Sequence, residues 1–314
     1  MRKDNAINLL DNTRCNLCPR ECNADRDNFK LGFCENTNDF HISSICIHRG
    51  EEPPISGSKG ICNVFFYHCN LQCNYCQNYQ ISRNDNIDFG NHWDLGTITN
   101  KIIENLNSGI ESVGFVTPSH QIPQMIKIID ELRAKSYNPN FIYNTNSYDK
   151  PEIIDILEGY IDVYLPDFKY SDNSLSRELS DADNYFEIAL KAIKKMLEQS
   201  GKSLLINDNG YATKGIIIRH LILPGYLENS KKILQTIAEE ISSEIHLSVM
   251  SQYYPASYNN NNNIPSLNRK LLYEEYDYIQ NYMEHLGLNT GWIQELESSE
   301  NFLPDFCKKH PFEN

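Results

Sequence analysis

From residue 62 onward the apolar positions of this chain alternate between two periods. Short runs rich in β-branched and aromatic residues at 62–68, 112–117, 141–145, 161–165, 216–223 and 245–250 read as buried strands. Between them apolar residues recur three and four apart: Ile122, Met125, Ile126, Ile129 and Leu132, then Phe186, Ala189, Leu190, Ile193 and Leu197, then Ile233, Leu234, Ile237, Ala238 and Ile241. These stripes read as core-facing helices, not cofactor boxes. Further helices are predicted over 151–157 and 271–286, and an edge strand over 291–295. The alternation makes about six β/α units, which points to a parallel sheet, either an open partial barrel or a doubly wound sheet.

The first sixty residues lack this periodicity and read as loop. The stretch 51–60, with two prolines and two glycines, reads as a turn without regular structure. The asparagine run 259–263 reads as a solvated low-complexity loop. The expected organisation is a cysteine-rich segment over 1–60, an α/β core over 61–255 and an extension over 256–314.

Composition narrows the function classes. A length of 314 residues suits one large α/β domain with a small appendage. The formal net charge of −14 argues against a nucleic-acid or anionic-membrane partner, either of which wants a basic surface. No stretch approaches the roughly 20 apolar residues of a membrane span, and the first residues lack an apolar run of signal-peptide length. A cytoplasmic, reducing location is expected, in which the ten cysteines stay available for metal.

The cysteines then carry the chemistry. Cys69, Cys73 and Cys76 stand at C-x3-C-x2-C spacing directly after the first core strand. A cubane iron–sulfur cluster normally takes four thiolates, so a tripod of three leaves one iron open to chelate a substrate or cofactor. A zinc knuckle or a disulfide nest is the structural alternative. Cys15, Cys18, Cys22 and Cys34 form a second set, in a segment with too little core to fold without help. They suit a closed zinc site, a second cluster, or simply reduced thiols. Cys46, Cys62 and Cys307 read as small buried hydrophobes. The predicted strands end in polar tips: Thr117 to His120, Asn144 to Ser147, Asp167 to Lys169, Arg219 and His220 through Pro224 and Gly225, and Ser251 to Tyr254. Such tips collect the active groups of a parallel barrel. His68, His120 and His220 read as structural or cofactor-lining.

Tyr75, just before the last loop cysteine, and Asn78, just after it, complete a C-x3-C-x-aromatic-C pattern that resembles the radical S-adenosylmethionine (SAM) enzymes. With the N-terminal cysteines, Glu51 to Gly57, Phe115 to Pro118, Leu165 to Lys169 and Arg219 to Leu221, nearly the whole chain is similar to the pyruvate formate-lyase-activating-enzyme-like group, the subgroup with N-terminal cysteines. The resemblance implies a partial (β/α)6 barrel, a [4Fe-4S] cluster on Cys69, Cys73 and Cys76, and SAM bound across the strand tips. Cleavage of SAM to a 5'-deoxyadenosyl radical is implied, with hydrogen abstraction from a partner protein to form a glycyl radical. The alternatives are radical modification of another protein or small molecule, and a non-catalytic iron–sulfur or zinc module. Cofactor contacts are implied for Tyr75, Asn78, Thr117, Pro118, Ser119, His120, Asn144, Thr145, Asp167, Lys169 and Arg219. Thr117, Pro118 and Ser119 stand where the family carries a Gly-Gly-Glu turn, so Ser119 or His120 is expected to replace its carboxylate. The resemblance also implies a flavodoxin- or ferredoxin-like electron donor; the sequence carries no flavin or nicotinamide fingerprint of its own.

Overall fold

The computed structural model describes residues 10–85, 93–255, 264–296, 303–308 and 310–312. The asparagine run at 259–263 lies outside them. Nine strands are described: β1 (Ile42–His48), β2 (Ile61–Phe66), β3 (Ser112–Val116), β4 (Asn140–Thr145), β5 (Val163–Pro166), β6 (Leu205–Ile206), β7 (Ala212–Leu221), β8 (His246–Met250) and β9 (Gly291–Ile293). They pair in the order β1-β2-β3-β4-β5-β7-β8-β9, with β6 a short antiparallel ribbon on β7. The sheet is parallel from β2 to β9, and β1 is antiparallel on β2.

Strand order decides between the two architectures the sequence leaves open. A doubly wound sheet reverses direction at a switch point, whereas here neighbours follow chain order throughout. The fold is therefore an α/β partial barrel, and it is unclosed because β1 and β9 end the sheet without meeting. All six residues of β2 are buried, as a central parallel strand requires.

Nine α-helices are described: α1 (Pro53–Ser56), α2 (Tyr79–Ser82), α3 (Leu95–Asn107), α4 (Ile122–Ala134), α5 (Pro151–Ile156), α6 (Asn173–Ser180), α7 (Tyr185–Ser200), α8 (Leu227–Thr236) and α9 (Tyr273–His285). The stripe on α4 buries Ile122, Met125, Ile128, Ile129 and Leu132 against the sheet. The α8 stripe runs on through a π-helical stretch, Ile237–Ser242.

Two sequence expectations are corrected. The first sixty residues are not all loop, because β1 pairs with β2 along nearly its full length, from Ile42↔Phe66 to His48↔Ile61. The proline-rich stretch is not without regular structure either. Pro53 and Pro54 occupy the first turn of α1, where a missing N–H costs nothing and a fixed φ favours the helix. Gly57 then ends it at a φ of 50°, against the ring of Tyr211.

Candidate active site

The loop after β2 turns at His68, whose backbone is left-handed (φ 67°) and whose N–H donates to the Ile81 carbonyl at 2.7 Å. Helix α6 holds the far side of the loop: Gln72 N–H donates to the Ser180 carbonyl (3.0 Å) and Asn74 N–H to the Leu179 carbonyl (2.8 Å). The last carbonyls of a helix lack partners inside it, so each element satisfies the other. Every cysteine sulfur of the loop accepts a hydrogen bond. Leu71 N–H donates to Cys69 Sγ at 3.3 Å, Ser180 Oγ to Cys73 Sγ at 2.9 Å and Ser82 Oγ to Cys76 Sγ at 3.2 Å. Burial, aided by the neighbouring Cys73, pushes the thiols of Cys69 and Cys76 up. Donors aimed at buried sulfur suit thiolates whose charge is carried by bound iron.

The three cysteines line one cavity of about 350 Å³. Beside them, in the same cavity, the tips of β4, β5 and β7 meet Glu51, which comes from the segment between β1 and α1, and four charged groups gather. Asp167 accepts from Arg219 Nε (2.9 Å) and from Lys169 Nζ (2.7 Å). Arg219 also reaches Glu51 Oε2 (3.2 Å) and Asn144 Oδ1 (2.6 Å). Burial opposes ionisation of Glu51, yet the hydrogen bond from His48, the Arg219 charge and Asn63 hold its carboxyl down at about 2. Asp167 is likewise lowered, against burial, by Arg219 and Lys169. Glu52 is the opposite case. Burial pushes its carboxyl up despite Arg219, and its Oε2 is buried with no hydrogen-bond partner. Two cations, Arg219 and Lys169, and two carboxylates, Asp167 and Glu51, thus cancel, while burial disfavours a charge on Glu52.

Of the residues expected at a cofactor, Tyr75, Asn78, Thr117, Asn144, Asp167, Lys169 and Arg219 line this cavity. Pro118, Ser119, His120 and Thr145 do not. Ser119 and Thr145 face inward, where Thr145 donates to Asp149 at 2.5 Å and Ser119 lies 3.4 Å from Thr145 Oγ1. His120 is buried with Nε2 on the Tyr67 carbonyl (2.8 Å), and burial brings it down to about 3. The fully buried His220 bridges the Phe168 carbonyl and Ser230 Oγ, so it is a strut. Cys46 and Cys62 are buried as expected, but Cys307 is exposed, with Gln80 Nε2 3.6 Å from its sulfur.

Asn146, from the predicted tip Asn144 to Ser147, lines the cavity too, and several lining residues were not anticipated: Glu51, Glu52, Ser248, Trp292 and Gln294. Two adjacent carboxylates ahead of two prolines were the available signal for Glu51 and Glu52. Tyr185, not itself lining, fixes two tips at once by placing its hydroxyl 2.8 Å from the Asn146 carbonyl and 2.9 Å from that of Asp167.

The sequence profile of the Radical SAM superfamily matches residues 63–247, from the second residue after the start of β2 into β8. The chain belongs to the radical SAM superfamily. It is also 30% identical over 296 residues to the uncharacterized protein MJ0674 of Methanocaldococcus jannaschii, covering 90% of this chain and 78% of that one. Among solved structures it is similar to SuiB of Streptococcus suis bound to the precursor peptide SuiA (TM-score 0.51, 16% identity, 76% of this chain and 49% of that). HydG, a maturase of the [FeFe]-hydrogenase, is similar at a TM-score of 0.51 and 11% identity, over 77% of this chain and 53% of that. The chain spans about half the length of these two proteins, and at such identities the likeness is one of fold.

Membership in the radical SAM superfamily implies cleavage of SAM at an iron–sulfur cluster. The residues fit that group. Cysteines on a cubane each serve a separate iron, and each of the three loop sulfurs accepts its own hydrogen bond. Cys69, Cys73 and Cys76 share one cavity with a charge-balanced rim. Among the described residues no helix is long and apolar enough to cross a membrane.

Proposed function

We propose that this radical SAM protein binds a [4Fe-4S] cluster through Cys69, Cys73 and Cys76 and activates a partner protein by abstracting hydrogen from a backbone glycine. The observation that carries this reading is the single cavity shared by the three cysteines and the Asp167–Lys169–Arg219 rim. When bound, the cluster and SAM together supply reductive C–S cleavage and the 5'-deoxyadenosyl radical. The protein supplies orientation and a dry site. Arg219 and Lys169 present cations suited to the cofactor's carboxylate, and Glu51 and Asp167 present carboxylates suited to its ammonium. Those carboxylates do the work of the glutamate missing after Thr117, because Ser119 faces the core. Asn144, Thr117, Tyr75 and Asn78 line the remaining wall.

The glycyl substrate rests on the motifs shared with pyruvate formate-lyase-activating enzymes. A polypeptide substrate also accords with the precursor peptide bound by SuiB. The electron donor on this reading is a flavodoxin or ferredoxin, and the four N-terminal cysteines hold a second metal centre. The decisive experiment is 5'-deoxyadenosine formation by the anaerobically reconstituted, dithionite-reduced protein given SAM. Product from the native chain and none from a Cys69/Cys73/Cys76→Ala variant is expected. No product from protein carrying a reducible cluster, even with candidate partners added, defeats the proposal. An organic radical appearing in a partner, seen by electron paramagnetic resonance (EPR), separates glycyl activation from small-molecule chemistry.

A further inference from the structure

Cys15, Cys18, Cys22 and Cys34 line one cavity of their own, together with Arg20, Arg26, Gly32, Phe33 and Asn70. Three features distinguish this set from spare thiols. First, its sulfurs accept N–H donors as the loop cysteines do: Phe33 N–H donates to Cys22 Sγ at 3.4 Å and Arg26 Nη2 to Cys34 Sγ at 3.3 Å. Second, Arg26 is 2% exposed and donates to the His120 carbonyl (2.7 Å) and to Cys34 Sγ (3.3 Å). A buried guanidinium requires a compensating negative charge, and the side-chain acceptor it faces is sulfur. Third, a Cβ on Gly32 would stand 2.7 Å from the Cβ of Cys22, so glycine is what lets the chain pass this close to the cysteine.

This cavity abuts the cluster loop. Asn70 lines it, takes Arg20 Nε on its carbonyl at 3.0 Å, and sets its own Oδ1 3.7 Å from Cys69 Sγ. Asn84 Nδ2 clamps the same junction by donating to the carbonyls of Phe33 (2.7 Å) and Cys69 (3.1 Å). We propose that the four N-terminal cysteines hold a second [4Fe-4S] cluster that relays electrons across Asn70 to the cluster at Cys69, Cys73 and Cys76. The relay rests on the radical SAM reading above; occupancy of the site does not. Four thiolates leave no open iron, so this cluster exchanges electrons and does not bind SAM. One electron from a low-potential ferredoxin or flavodoxin reduces it, and the same electron passes on, returning it to the oxidised state.

The test is metal analysis and EPR on the full chain, anaerobically reconstituted. About eight iron and eight sulfide per chain are expected, falling to about four of each in the Cys69/Cys73/Cys76→Ala variant, whose reduced EPR signal should not change on adding SAM. About four iron in the native chain, with or without one zinc, overturns the proposal whatever the SAM chemistry proves to be. The relay is read from Cys22→Ala, a change at an exposed cysteine. Cleavage of SAM driven by reduced flavodoxin should be lost while cleavage driven by dithionite persists. Unchanged flavodoxin-driven cleavage, or equal loss with both reductants, overturns it.

Discussion

Arg219 is the residue on which the candidate site turns, since it contacts Asp167, Glu51 and Asn144 together. Its fork geometry makes these contacts together, and a lysine ammonium has no equivalent fork. Arg219→Ala strands buried carboxylates, with an expected loss of about 3–5 kcal/mol in urea unfolding; Arg219→Lys should keep the fold and lose SAM binding, measured by equilibrium dialysis. Thr117 is a β-branched residue held at φ 50°, in the left-handed region where glycine is favoured. Thr117→Gly should raise stability by about 1 kcal/mol in urea unfolding. Histidine sets the acid limit. Burial brings His220 down to about 4, below its ordinary value of 6.5. The unfolded chain therefore takes up this proton at higher pH than the native one, so stability falls as pH drops from about 6.5 toward 4, by up to about 1.4 kcal/mol per pH unit for this group. Melts in that window should show a shallower slope for His220→Gln.

Helix α6 acts on the cluster loop through its C-terminal end, while its stability depends on the other end. Asp172 caps it by accepting from Ser174 N–H (2.9 Å) and Leu175 N–H (3.0 Å). Asp172→Ala should cost about 1 kcal/mol and speed hydrogen exchange at the Gln72 and Asn74 amides, which that helix holds. Strand β3 makes a comparable demand. A Cβ on Gly114 would sit 2.2 Å from Asn63 Oδ1, and Asn63 is the donor that orients Glu51 at 2.9 Å. Gly114→Ala should destabilise by about 1–3 kcal/mol in denaturant titrations. These elements also show where sequence legibility ends. The core strands and the long helices could be read because period carries burial. α6 could not, because its two leucines stand among weak helix formers and it owes its place to a cap and to tertiary contact; α3, by contrast, carries a helical stripe of Leu95, Ile98, Ile102 and Leu106. β1 was missed for a related reason: its interleaved Ser44, Cys46 and His48 dilute the apolar signal, and pairing with β2 makes it a strand.

Across the whole molecule, the cysteine loop and the charged tips were legible because they end predictable strands, whereas Glu51 and Glu52 were not, since they arrive from outside the barrel. The chain's last described residues add to the same side. Phe306 and Phe312 pack on Phe65 with ring centroids 5.1 and 5.7 Å away, and Phe312 also lies 4.1 Å from the ring of His48. Glu51 gives this arrangement a consequence for modularity. The profile that places the chain in its superfamily begins at residue 63, beyond Glu51, yet Glu51 lies 3.2 Å from Arg219 inside the matched span. A version trimmed to that span would keep the cation and discard one of its counter-charges. Grafting this barrel onto a relative's leader segment would therefore exchange part of the cavity wall as well, so that lineages differing upstream of the barrel inherit different sites on the same scaffold.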